Sequence, residues 1–510
     1  MKKISWLLAA ACLLQTTGSA QSLRRATEVP WIMSRGYEYN GLNNSSDYSH
    51  KKNILYVSET EAVIPYYIPE KGRLVMGIKN EMNGLAKVNN KGVVKWQVEL
   101  HNGAILGIAR FNGNILVVSV PDWTGVKARL TPNKPMKATV YNTANGKKLL
   151  EKDILLTPNM FAQVHVHNNA AGEFQQLVVR HTKMPTSGGS IFTMNKHEKQ
   201  MRQTESIQLY TLSKELELKQ TAAISITDPE QQYLASITDE AGNLDVAWAT
   251  ATAIVLERYT PGATTPAVKL ATPIEWNDKW MTEIVLAANP ANTDQVVVAM
   301  RYKNGLYHIK TVQYNLATQK MVVYDEEIDK AYRNTIEREA EVPEGHSREM
   351  TKKIRFSELK PRDIVFYGSQ AIVAKQVNGV YEDPNRSHAR FVADAIITVF
   401  NADGRVQKHY LLSKNADIGE SFGLNLVGDT LQMVTANDVR LTATALLYGA
   451  INLKEEKWQK LVSLPNGVKN AELTSASTLW FTTGAVIQTW ETAGAFSPDP
   501  ITALKVMTHK

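Results

Sequence analysis

An all-β fold built from repeated, like-made sheets is predicted by three features of the 510-residue sequence. The first is a recurring phrase: an apolar or aromatic residue, a polar one, a few turn residues, then a new strand-like run. It appears at Val88-Asn89-Asn90-Lys91-Gly92, Tyr141-Asn142-Thr143-Ala144-Asn145-Gly146, Tyr210-Thr211-Leu212-Ser213-Lys214, Tyr314-Asn315-Leu316-Ala317-Thr318, Phe400-Asn401-Ala402-Asp403-Gly404 and Ile451-Asn452-Leu453-Lys454, with a weaker copy at Tyr259-Thr260-Pro261-Gly262. The second is the abundance of short runs rich in Val, Ile and Tyr, the composition of strands packed in stacked sheets. The third is a set of Asn-Gly pairs, whose tolerance of positive φ suits the tight turns of antiparallel hairpins.

The strand-like runs are Arg73 to Gly77, Asn114 to Val120, Gln176 to Arg180, Gln295 to Met300, Asp363 to Tyr367, Ala371 to Lys375, Ala395 to Phe400 and Leu479 to Trp490. Asn112-Gly113, Asn304-Gly305 and Asn378-Gly379 read as hairpin turns, the clearest hairpin joining Ile105 to Phe111 with Asn114 to Val120. The anchors of the repeated phrase fall at 88, 141, 210, 259, 314, 400 and 451, with gaps of 53, 69, 49, 55, 86 and 51. A period near fifty fits four short strands per unit. Such a sheet cannot bury both faces alone, and radial stacking of sheets solves this, giving a β-propeller. Seven anchors predict about seven four-stranded blades, with six or eight open. Successive β-sandwich domains are the rival, but no long Pro/Gly/Ser linker separates such units.

Gly92-Val93-Val94-Lys95-Trp96 and Gly146-Lys147-Lys148-Leu149 resemble the outer edges of quinoprotein-like and WD-like propeller blades. The resemblance spans most of the chain and lies at the level of a fold superfamily. The Trp-Asp dipeptide typical of WD repeats is absent, so no single family is implied. What the resemblance implies is a ring of blades, with strands near the two chain ends sharing a sheet. Ile501 to Met507 is the expected closing strand, with Ile54 to Val57 and Ala62 to Ile68 as its expected partners.

Residues 1–20 read as a signal peptide rather than fold. Lys2 and Lys3 precede an apolar run from Ile4 to Leu14, and Gly18-Ser19-Ala20 forms a small-residue cleavage site before Gln21. The run is too short to span a bilayer, and no later segment reaches about eighteen uninterrupted apolar residues. Cys12, the only cysteine, follows small residues in the manner of a lipoprotein box, yet Leu13 and Leu14 continue the apolar run where a polar tether belongs. Cleavage after Ala20 is the preferred reading. The mature chain, 21–510, then has no cysteine and must be stable through burial alone. Removing Lys2 and Lys3 from 57 basic residues leaves 55 against 50 acidic ones, or +5, which is no nucleic-acid footprint.

Two wide gaps between anchors contain polar insertions, Thr193 to Glu205 and Asp325 to Asp363. In Glu326 to Glu341, Ile328, Ala331, Tyr332, Thr335 and Ile336 recur at helical spacing until Val342-Pro343 ends the run. The charged segment Glu344 to Lys360 reads as a mobile surface loop. The whole insertion, 326–362, is expected either to cap a face or dock a partner, or to close a gap between blades.

Candidate chemistry is sparse. Gly419-Glu420-Ser421-Phe422-Gly423 matches the nucleophile elbow, but no apolar strand precedes it and the only later histidine is His509. It reads as a glycine-flanked turn. His165-Val166-His167 puts two imidazoles on one side of a strand, which could begin a metal site, yet Asn168-Asn169 suggests a solvated strand end. Asp325-Glu326-Glu327, Asp417 and Glu420 read most simply as solvated loops. Trp123, Trp276 and Trp280 lie among turn residues, where indoles either stack on ligands or pack between blades.

No catalytic, cofactor-binding or metal residue is therefore assigned, and no cofactor is expected. The expectation is an exported propeller that binds a protein or glycan in a Gram-negative envelope or outside it, with a propeller-type polysaccharide hydrolase or lyase as the alternative. It leans away from an enzyme, and expects no nucleic-acid partner and no transmembrane segment. Expression of the full chain in a Gram-negative host should yield a product whose N-terminus, read by mass spectrometry, begins at Gln21; retention of residues 1–20, or a lipid on Cys12, would contradict the leader reading.

Overall fold

The computed structural model describes residues 23–29, 54–66, 84–100, 103–121, 136–154, 161–169, 171–182, 204–226, 228, 231–276, 283–350, 356–383, 386–414, 423–439, 443–465, 471–491 and 501–508. These form eight four-stranded sheets, all paired antiparallel. Seven blades use four strands consecutive in sequence: residues 55–99, 103–154, 161–225, 232–273, 283–327, 359–412 and 423–465, numbered here blades 1 to 7. Blade 8 is assembled from both ends of the chain. Ala471–Phe481, Gly484–Glu491 and Ile501–Thr508 supply three strands, and Leu23–Val29 pairs antiparallel with Ile501–Thr508 as the fourth. The architecture is an eight-bladed β-propeller.

First strands of successive blades touch one another from blade 1 round to blade 8, so they line the axis. Blade 8 meets blade 1 through a shared core of Leu479, Phe481 and Val486 against Ala62, Ile64, Ala86 and Val88. Asn90 Nδ2 also donates to Thr483 Oγ1 at 3.0 Å, and the backbone N–H of Trp480 donates to the Tyr56 hydroxyl at 2.9 Å. The remaining apolar clusters mostly repeat this arrangement, each buried between adjacent blades.

The repeated sequence phrase is the junction of third and fourth strands. All seven anchors, Val88, Tyr141, Tyr210, Tyr259, Tyr314, Phe400 and Ile451, are buried at the ends of third strands. The polar residue caps the turn: Oδ1 of Asn89, Asn142, Asn315, Asn401 and Asn452, and Oγ of Ser213, accept backbone N–H groups two to four residues on. Each of the seven hairpins then carries one left-handed residue, Gly92, Gly146, Leu216, Gly262, Gln319, Gly404 or Glu456. Blade 8 has no such hairpin, because its fourth strand comes from the other end of the chain. Seven anchors thus mark eight blades, a count within the range that the sequence left open.

Several finer expectations are corrected. The closing strand pairs with Leu23–Val29 and Gly484–Glu491, not with the strands at Leu55–Ser58 and Glu61–Tyr66, which belong to blade 1. Asn112-Gly113 and Asn304-Gly305 do form hairpin turns. Asn378-Gly379 does not; it lies inside the long strand Gln370–Asp383, opposite Val392 and Phe391, beside a bulge where the register shifts. A bulge and a turn both break regular pairing, so the dipeptide signals either one. Leu479 to Trp490 is two strands folded back at Thr482-Thr483. Arg73 to Gly77 and nearly all of Thr193 to Glu205 fall outside the described residues, as do residues 1–20, which were expected to be a leader.

Tryptophans on fourth strands tie blades together. Trp96 of blade 1 lies over Gly146 of blade 2, where a Cβ would come within 2.8 Å of the indole, and donates from Nε1 to the Thr143 carbonyl at 3.1 Å. Trp458 of blade 7 covers Gly449, meets Tyr410 of blade 6 edge-on and donates to the Glu341 carbonyl at 3.1 Å. Among the seven hairpin positions, Gln319 is exposed yet held at φ +53°. The left-handed cost of a side chain exceeds the entropic cost of glycine there, so Gln319→Gly should raise stability by about 0.5–1 kcal/mol. Denaturant titration checks this, and a loss of stability would contradict it.

Candidate functional site

A concavity opens at the axis, on the face that carries the turns between first and second strands. Its volume is about 510 Å3. Tyr56, Val57, Ser58 and Glu59 enter from blade 1, Arg110 from blade 2, Ala171 from blade 3, and Trp480, Phe481 and Thr482 from blade 8. Each sits where a first strand ends or its turn begins. Alternation along those strands buries neighbours such as Leu55, Ala109 and Leu479 between blades and leaves the strand ends at the mouth.

Arg110 fixes the cleft wall. Its backbone N–H donates to the Gly172 carbonyl of blade 3 at 2.7 Å, while Nε and Nη2 donate to the Tyr56 carbonyl of blade 1 at 3.1 and 2.5 Å. One residue therefore bridges three blades. Tyr56 stacks edge-on against Phe481 at 5.9 Å, and its hydroxyl accepts the Trp480 N–H. Burial pushes the Tyr56 phenol pKa up, partly offset by that N–H, so it stays a neutral hydroxyl. Glu59 and Thr482 are exposed at the rim. Among the described residues neither Glu59 nor Arg110 enters an ion pair, and both line the cleft together with aromatic surface.

The positions singled out in the sequence fare differently. His165 and His167 lie on the first strand of blade 3, ring centroids 6.3 Å apart, opposite Val178 and Gln176. His167 is buried and His165 half-buried, so the pair is not at a solvated strand end; Val178 beside it belongs to the blade 3–blade 4 core. Strand alternation put both rings on the side that the next blade covers. No group of three or more His, Cys, Asp or Glu among the described residues is arranged to hold a metal. Of the Gly-x-Ser-x-Gly segment only Gly423 is described, as the start of the first strand of blade 7. Asp417, Glu420, Trp123, Trp280 and His509 lie outside the described residues. Trp276 packs against the blade 4–blade 5 core and donates from Nε1 to the Ala251 carbonyl at 3.0 Å.

The acidic run 325–327 is not a solvated loop. Helix α1 spans Lys330–Glu339, capped by Asp329, while Asp325, Glu326 and Glu327 remain in the last strand of blade 5. Strand pairing to His308–Lys310 outcompetes helix there. Glu326 is buried and accepts from Lys375 Nζ at 2.7 and 2.5 Å and from the Tyr332 hydroxyl at 2.6 Å, with Lys375 also 3.0 Å from that hydroxyl. Burial lowers the Lys375 pKa, opposed by the Glu326 charge, and the paired form is retained through these contacts. Ile328, Ile336, Ala340 and Met350 seal the same seam against Ile309 of blade 5 and Leu359, Val377, Ala393, Ile396 and Leu411 of blade 6.

Glu341 then lies parallel to the outer strand of blade 6, its N–H donating to the His409 carbonyl at 2.8 Å and its carbonyl accepting from Leu411 at 2.9 Å. Arg348 donates to the Ala340 carbonyl at 3.0 Å, and Met350 is buried, so 344–350 is pinned rather than loose. Residues 351–355 lie outside the described set. Of the two expected roles for the insertion, the structure displays gap closure: it wedges blades 5 and 6 and covers a sheet edge.

A second buried network joins blades 4 and 5. Arg258 forks onto Asp245 with two 2.7 Å bonds and reaches Asp239, Asp294 and the Thr293 carbonyl. Burial, opposed by Arg258 and reinforced by Asp239 and Asp294, pushes Asp245 up to about 6. These clusters are structural joints, remote in sequence and blade from the mouth cleft.

No family model matches the chain, and no curated protein does. Among solved structures it is similar to the Dos1 propeller, at 7% identity over 95% of this chain and 96% of that one, TM-score 0.49. It is also similar to the WD40 domain of SCAP from fission yeast, at 9% identity over 89% and 95%, TM-score 0.39. The polysaccharide lyase Uly1 follows at 10% identity over 79% and 89%, TM-score 0.37. Its own strand pairing makes the chain a member of the β-propeller superfamily, and no particular family is identified.

His409 gives the blade 6 joint a pH signature. Burial and the neighbouring Lys375 ammonium lower its pKa to about 3, while Nδ1 shares a 3.0 Å hydrogen bond with Thr398 Oγ1. The unfolded chain binds this proton near 6.5 and the folded chain does not, so stability is full above about 6.5 and is lost as pH falls towards 3. Asp245 works in the opposite sense between about 4 and 6, so the test is a difference between proteins. His409→Gln should remove up to about 1.4 kcal/mol per pH unit from the wild-type slope across that window; identical slopes in urea titrations would contradict it.

Proposed function

We propose that this chain is an exported, non-catalytic binding module of the cell envelope or its surroundings, and that it binds at the mouth cleft. One observation carries the reading: Tyr56, Arg110 and Trp480 converge from three blades around a 510 Å3 concavity. These three residue types dominate binding hot spots, because each combines large contact area with a polar tip. The volume lies within the range of about 300–1,000 Å3 occupied by ligand sites. The wall is also preorganised. Arg110 and Tyr56 are held by backbone atoms of neighbouring blades, so little ordering remains to be done on binding. The leader-like residues 1–20 support export, and a cysteine-free mature chain suits a protein whose stability rests on burial.

Tagged protein produced with its leader, recovered from the envelope fraction of its own cells, is the material for the test. The expected result is retention of an envelope component by the wild type, weakened about tenfold or more by Glu59→Arg with Thr482→Arg, which crowd an exposed rim without touching the core. Equal retention by the variant overturns the cleft as the binding site. Release of reducing ends from polysaccharide by the wild type replaces the binding reading with the catalytic one.

A further inference from the structure

The chemistry of the cleft is more specific than a generic binding surface. Its floor is aromatic, from Tyr56, Trp480 and Phe481, and its rim is hydroxyl-bearing, from Ser58 and Thr482. Two opposite charges complete it. The Glu59 carboxylate can only accept hydrogen bonds and the Arg110 guanidinium can only donate them. Arg110 spends Nε and Nη2 on the Tyr56 carbonyl, and no hydrogen bond among the described residues uses Nη1.

An anionic ligand would gain from Arg110 and be opposed by Glu59, and a cationic ligand would meet the reverse. A neutral polyhydroxylated ring meets no such conflict. Each hydroxyl donates and accepts, so one ring can satisfy the carboxylate and the guanidinium together. Its C–H face at the same time covers indole and phenol surface that would otherwise face water. An extended peptide also carries donors and acceptors, but a strand of peptide seeks an open sheet edge or a long groove. The first strands are the inner edges of their sheets, but they reach this cleft only by their ends and turns, so it offers no length of edge for a peptide strand to pair along.

Resting on the binding reading above, we infer that the mouth cleft takes a short, uncharged saccharide segment, with the sugar face on Tyr56 and Trp480 and its hydroxyls bridging Glu59 and Arg110. The test is titration of the full mature protein, followed by tryptophan fluorescence and calorimetry, against three probes: cellotetraose, tetra-N-acetylchitotetraose and tetragalacturonate. Saturable binding to at least one neutral probe is expected, with tetragalacturonate about tenfold weaker or worse because its carboxylates face Glu59. Glu59→Gln should weaken the neutral probe about tenfold by removing a charged acceptor, and Trp480→Phe should weaken it without changing Tm by more than a few degrees.

Preference for tetragalacturonate, or neutral binding untouched by both substitutions, overturns the inference. So does absence of saturation with both neutral probes. If that absence is accompanied by cleft-dependent retention of an envelope protein, the saccharide inference fails while the binding reading stands. If cleft-dependent retention is also missing, both fail together.

Discussion

Every blade of this protein has two apolar faces and no means of covering either by itself. The constraint that organises the molecule is therefore closure of the ring. Cores are shared between neighbours, as in the blade 8–blade 1 cluster around Leu479, Phe481, Ile64 and Val88. An open arc would leave one face of the first blade and one of the last in water, and at about 25 cal/mol per Å2 of apolar surface that exposure is prohibitive. Placing Leu23–Val29 beside Ile501–Thr508 converts closure from a packing preference into backbone hydrogen bonding between strands far apart in sequence. Bringing such distant segments together has an entropic cost that grows only slowly with loop length, so a long chain can bear it.

The mouth cleft is a consequence of that closure. Its walls come from blades 8, 1, 2 and 3, and the aromatic contact between Tyr56 and Phe481 crosses the seam where the ring shuts. Arg110 repeats the principle on a smaller scale by tying blades 1 and 3 through blade 2. Preorganisation at the mouth thus follows from the same contacts that hold the ring. The buried polar clusters have another purpose. Glu326 with Lys375 and Tyr332, and Arg258 with its carboxylates, sit in seams where a mismatched blade pairing would strand a charge. The insertion after blade 5 adds to this by sealing one seam and covering the edge of blade 6 through Glu341.

Much of the architecture could be read from sequence because the repeated hairpin is local. A buried anchor, a capping Asn or Ser and a left-handed turn residue occupy a handful of consecutive positions, and short-range sterics dictate their identities. Trp96 was equally legible as a blade-edge residue. The count of blades was less so, since the last blade borrows its outer strand from the opposite end and leaves no hairpin to count. Asn378-Gly379 misled for a related reason: a local signal cannot tell a bulge within a long strand from a turn between two. Charged residues were the least legible. Asp325-Glu326-Glu327 has the composition of a solvated loop, and only Lys375, arriving from another blade, makes burial of Glu326 tolerable.

By itself the sequence determined a repeating β architecture, its period and the turn chemistry, because each depends on neighbours within a few residues. Tertiary structure alone decided that the blades number eight, that the two histidines of blade 3 face a seam, and that Tyr56, Glu59, Arg110 and Trp480 share one cleft. Those residues lie up to 424 positions apart, the separation of Tyr56 and Trp480. No spacing rule links them; only the closed ring brings the ends of their strands to a common mouth.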